Sequence, residues 1–80
     1  MSFIMRAFWI DKNGNGTSRA YYPADDVSDS DAAFDANVEA MIKTAIQYAA
    51  RDEPPDLRIL VLDEQTFHVL LTLRPLIKWV

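Results

Sequence analysis

Ser28-Asp-Ser-Asp-Ala-Ala-Phe-Asp-Ala-Asn-Val-Glu-Ala-Met-Ile-Lys-Thr-Ala-Ile-Gln-Tyr-Ala-Ala-Arg51 is the stretch that decides the fold. Phe34, Val38, Met41, Ala45 and Ala49 recur at steps of three and four, and Ile42 and Ile46 widen the stripe. Apolar residues at that spacing make one face of a helix. Ser28 and Asp31 have the spacing of a capping box, with Asp in the place usual for Glu or Gln. Pro54-Pro55 marks the stop, because the residue before a proline is pushed out of the helical region.

The flanks carry strand signals instead. Phe3 to Ile10 is aromatic and β-branched, with apolar residues on both faces, which suits a central strand. Asn13-Gly14 and Asn15-Gly16 then supply residues that accept positive φ, as a tight hairpin requires. Thr17 to Tyr22 reads as the returning strand, ended by Pro23. After the helix, Leu57 to Leu62 reads as a buried strand, Asp63-Glu64-Gln65 as a turn and Thr66 to Leu73 as a fourth strand. Alternation places Phe67, Val69, Leu71 and Leu73 on one face of that strand and His68, Leu70 and Thr72 on the other. Leu76 to Val80 reads as a fifth strand or a packed tail. The expected fold is α+β in a single domain over residues 1–80. Its order is β-β-α-β-β, with a four-stranded antiparallel or mixed sheet and one long helix on one face.

A chain of 80 residues without cysteine has no disulfide or thiolate metal site to assist a modest core. No secretory signal is legible in Met1 to Ile10, and the charge-free run from Gln65 to Leu73 is far below the roughly 20 apolar residues of a membrane span. The expectation is a cytoplasmic protein. One helix covers one sheet face only, so Ile4, Phe8, Ile10, Leu60, Leu62 and Leu70 on the other face form a candidate hydrophobic interface for a partner or a homodimer. The alternative is that the C-terminal tail with Tyr21 or Tyr22 covers that face.

Charge is distributed unevenly. Asp25, Asp26, Asp29, Asp31, Asp35 and Glu39 exceed the whole net charge of −4, leaving +2 for the remainder, and no Lys or Arg stands between residues 20 and 42. Such a cluster repels phosphate and attracts basic surfaces, so these six are candidate partner-binding residues. They can equally serve the positive end of the helix.

Chemistry finds little support. Asp11-x-Asn13-x-Asn15-Gly16 matches half of a calcium loop, but the twelfth position is Tyr22 where a bidentate Glu is needed, and a hairpin is the better reading. His68 is the sole histidine and alternates with Val and Leu as a structural residue does. There is no phosphate-binding glycine loop, zinc spacing or nucleophile elbow. Arg6, Arg19, Arg58, Arg74 and Lys78 with Phe8, Trp9 and Tyr21 would suit a stacking platform for nucleic acid, against which the negative net charge weighs. No catalytic residue, metal or cofactor is expected.

Hairpin, Ala- and Met-rich helix, then hairpin, at Phe3–Tyr22, Ala32–Ala50 and Leu57–Leu73, resembles one architecture of small phage-encoded anti-CRISPR proteins. That resemblance implies an inhibitor, in the host-cell cytoplasm, that binds a CRISPR effector subunit, with the six carboxylates as the matching feature. Arg6–Ile46 also resembles the HicB-type antitoxin partial fold, with Tyr22-Pro23-Ala-Asp25 at its Pro-Asp position. That likeness implies an antitoxin role.

Overall fold

The computed structural model describes residues 3–23 and 31–79, with the side chains of residues 31–33 outside that description. The elements run β1 (Phe3–Ile10), β2 (Gly16–Tyr21), α1 (Asp31–Ala49), β3 (Arg58–Asp63) and β4 (Val69–Leu73). All strand pairs are antiparallel and the sheet order is β2-β1-β3-β4. The fold is therefore the β-β-α-β-β arrangement expected, with β1 and β3 central. The capping pair Ser28 and Asp31 falls outside what can be described, apart from the backbone of Asp31, where α1 begins.

The core lies between α1 and one sheet face. Phe3, Met5, Ala7 and Trp9 of β1 and Ile59 and Val61 of β3 meet Val38, Met41, Ala45 and Ala49 of the helix, with Leu57 just before β3. Ala45, Ala49 and Ala7 are all fully buried. Small residues there let the helix backbone settle close to the sheet, so large neighbours fill the remaining space. Phe3 stacks at a tilt on Phe34 with ring centroids 4.7 Å apart. The tail after β4 packs as an extended segment, not as a fifth strand. Ile77 and Trp79 lie against the core, and the Trp79 indole Nε1 donates to the carbonyl of Pro54 at 2.7 Å.

Both hairpin turns are held by an aspartate. Asp11 Oδ1 accepts the backbone amides of Asn13 and Asn15, each at 2.9 Å, while Gly14 takes a φ of 83°. The carboxylate is thus occupied in closing a hairpin. Asp63 Oδ1 likewise accepts the amides of Gln65 and Thr66 at 2.9 and 3.0 Å.

The second turn is longer than its sequence suggests. It runs through His68, whose carbonyl accepts the amide of Asp63, and Phe67 sits at a φ of 60°. β4 therefore starts at Val69 and not at Thr66. A register irregularity between Val61 and Leu62 pairs Leu62 with Val69 and leaves Leu70 as an extra residue. Val69 is consequently across from an open-face residue, and simple alternation with Leu71 and Leu73 does not hold.

Candidate protein-binding interface

The sheet face away from α1 is built by the alternation of β1 and its neighbours. Ile4, Arg6, Phe8 and Ile10 point there, as do their register partners Leu62, Leu60 and Arg58 on β3 and Ala20, Ser18 and Gly16 on β2. Among the candidate interface residues, Phe8, Ile10 and Leu70 are exposed, Leu60 is half-buried, and Ile4 and Leu62 are buried against one another's strands. Accessible apolar surface on this face is thus concentrated at its two ends. Phe8 and Ile10 stand toward β2, with Val69 and Leu70 on β4.

At the β2 end, Phe8, Ile10, Gly16, Ser18 and Arg58 line an open depression of about 420 Å³. Gly16 and Ser18 leave room beside the Phe8 ring because neither carries a large side chain. The Arg6 guanidinium stands 5.9 Å from the Phe8 ring centroid and reaches the Ser18 hydroxyl at 3.4 Å. Arg58 and Arg74 both donate to Asp56, at 3.1 and 2.8 Å. Partial burial pushes the Asp56 carboxyl up, but the hydrogen bonds from Arg74 and then Arg58 outweigh it and leave it below the usual carboxylate range. Two cations therefore share one anion at the rim, and an excess of positive charge remains on the open face.

The carboxylates stand elsewhere. Asp35 and Glu39 are exposed, one turn apart on the outer side of α1, and Glu39 holds Lys43 at 3.6 Å with both side chains in solvent. Asp25, Asp26 and Asp29 lie outside the described residues, as does the side chain of Asp31. Two arginines meet near the opposite end of the helix. Arg19 and Arg51 both stack on one ring, Tyr48, at 3.9 and 4.4 Å from its centroid. Beside them, Trp9 meets Tyr48 edge-on at 5.9 Å and donates its indole N–H to Asp52 at 2.8 Å. That indole bond is the main cause holding the Asp52 carboxyl below its ordinary value. The described acids Asp35 and Glu39 stand on the first half of α1, whereas its last turn carries no basic residue and the two arginines reach Tyr48 from β2 and from just beyond the helix. Sequence reasoning placed Arg19 in a stacking platform with Phe8, Trp9 and Tyr21 and missed Tyr48 as its seat. The helical step from Ala45 to Tyr48 and Ala49 was the signal that could have shown it.

His68 is exposed in the β3–β4 turn, and its backbone amide donates to the Thr66 hydroxyl at 3.3 Å. Among the described residues there is no group of three or more side chains placed to hold a metal ion. No helix among them is long and apolar enough to cross a membrane. In comparison with known proteins, no family model matches this chain, and no curated protein or solved structure matches it either.

Proposed function

We propose that this chain is a non-enzymatic protein-binding module, an inhibitor or adaptor, that meets its partner through the sheet face left bare by α1. The single observation that carries this is the one-sided packing of the sheet. Ile59 is fully buried, whereas Phe8 and Ile10 on the other face keep 37% and 56% of their surface in solvent beside an open depression. Exposed large apolar groups rimmed by charge are what a docking surface offers. The carboxylates at the start of α1 add long-range attraction to a partner with a basic surface, which acts on the association rate more than on final affinity.

A second version is favoured by the exposure of Asp35 and Glu39 on one side of the helix. In it the acidic surface is itself the contact, as the likeness to anti-CRISPR proteins implies, with a nucleic-acid-binding effector as the target. The test is comparative capture from the native host with three immobilised forms: wild type, a Phe8→Asp/Ile10→Asp variant, and a variant with Asp25, Asp26, Asp29, Asp31, Asp35 and Glu39 neutralised. A partner lost only with the first variant supports the bare face. One lost only with the second, with a flattened salt dependence, supports the acidic surface. If both folded variants retain the same partners as wild type, neither version stands.

A further inference from the structure

Among the described residues, five of the eight exposed large apolar side chains, Phe67, Val69, Leu70, Leu71 and Leu76, fall on β4 and its two flanks. β4 is an edge strand, so one side of its backbone carries no ladder partner within the described chain. Its sequence, Val-Leu-Leu-Thr-Leu, contains no charge. Val69 and Leu71 are assigned to opposite sides of the sheet by their partners Leu62 and Val61, yet both are exposed, at 54% and 38%. A protein docking on one face would cover one of them. A strand laid alongside covers both.

The other edge is managed differently. β2 reads Gly-Thr-Ser-Arg-Ala-Tyr, and its Arg19 is drawn inward onto Tyr48. Polar residues and an inward-pointing charge are the usual means of keeping an edge from pairing. β4 has neither.

We propose that β4 pairs antiparallel with β4 of a second copy of this chain, joining two four-stranded sheets into one of eight. Three observations select a second copy over an unrelated strand. The first is charge. A two-fold interface sets each residue against residues of the same segment, so a charged strand would oppose like charges, and this one has none to oppose. With the axis at Leu71, the centre of the strand, Leu71 meets itself and Leu70 comes opposite Thr72 of the second copy, while Val69 and Leu73 point to opposite sides of the joined sheet. The second is the position of the flanks. Phe67 precedes the strand at 66% exposure and Leu76 follows it at 98%. Antiparallel pairing carries the Leu76 end of one copy to the Phe67 end of the other, so both find apolar company. The third is area. The five side chains expose on the order of 500 Å² of apolar surface per copy. At the roughly 65% apolar share of homodimer contacts, two copies can bury up to about 1,500 Å² in all, within reach of a standard specific interface.

Backbone geometry points the same way. Phe67 holds a φ of 60°, where a bulky residue is strained and Asn or Gly would sit more easily. Strain kept at an exposed aromatic residue signals a use for that side chain outside the monomer.

The site is separate from the Phe8 and Ile10 end of the open face, so this inference does not depend on the proposed function. Sedimentation equilibrium from about 1 to 100 µM tests it, with wild type expected at twice the 9.1 kDa chain mass. Leu71→Lys and Leu71→Asp, each alone, should weaken association by about 100-fold or more, since a like charge meets itself at the axis. Mixing the two should restore a dimer. Ile10→Lys should leave it intact. Far-UV circular dichroism checks the fold, and if the Leu71 variants lose it, Val69→Lys replaces them at a more exposed position, where it should weaken association with no opposite charge to restore it. A wild-type monomer at 100 µM overturns the proposal. So does a dimer that Ile10→Lys breaks while the folded charge variants leave it whole, or a failure of the mixed variants to reassociate.

Discussion

Ile59 and Leu60 are neighbours on β3 that point to opposite sides of the sheet, and truncating each to alanine measures how unequally the two sides are packed. Ile59 is fully buried. Ile59→Ala removes three carbons at about 0.8 kcal/mol each, and the cavity left under α1 adds about 1 kcal/mol more, so the expected loss is about 3–4 kcal/mol. An 80-residue chain at about 0.05–0.15 kcal/mol per residue has only about 4–12 kcal/mol in total, so this variant sits near the edge of folding. Leu60 is half-buried and borders solvent, where no closed cavity forms. Leu60→Ala should therefore cost about 1 kcal/mol. Urea unfolding followed by Trp fluorescence reads both, with the slope of the transition checked for constancy. Equal losses at the two positions, at unchanged slope, would mean that the open face is packed as tightly as the helix side. The one-sided core, and the interface built on it, would then be refuted.

Acidification should destabilise the fold. Asp52, Asp56 and Asp63 all have folded values below the ordinary 3.8, so the folded chain binds fewer protons than the unfolded one. Their contribution is complete above that value and is lost as pH falls through the folded values. The urea midpoint should drop between pH 5 and pH 2.5, and Asp52→Asn should flatten part of that drop; a midpoint independent of pH over this range contradicts it. Phe67→Asn, made in the Leu71→Lys background to keep the chain monomeric, should raise stability by about 1 kcal/mol by relieving the left-handed backbone, and thermal unfolding reads the sign.

The order of elements was legible because each signal was local. The step of three and four from Phe34 to Ala49 appears as α1, and the Asn-Gly pairs appear as a hairpin whose Asp11 collects the turn amides. The inner face of β1 also followed from alternation alone. What was not legible depended on pairing. Thr66 and Phe67 are fit for a strand by composition, but Asp63 gathers Gln65 and Thr66 into a turn, so β4 begins three residues later. The irregularity opposite Val61 and Leu62 then moves Val69 to the other side, which period-two reasoning has no means of seeing. Ile4 and Leu62 belong to the bare face by alternation yet are buried as register partners, while Phe8, Ile10, Val69 and Leu70 on that face stay exposed.

Several departures lie around β4, and that is informative. Where a chain folds for itself, local preference and final structure agree. Around β4 they part: an aromatic residue in a left-handed conformation, an uncharged edge, and a leucine just beyond it that stands free. An isolated 80-residue domain would gain from replacing each of these, with Asn at 67, a lysine in the strand and a polar residue at 76. The same three changes would remove every feature that lets two copies meet. Phe67→Asn should thus act with opposite signs, stabilising the monomer while weakening association, and a residue without an intermolecular role has no reason to divide its effects in that way.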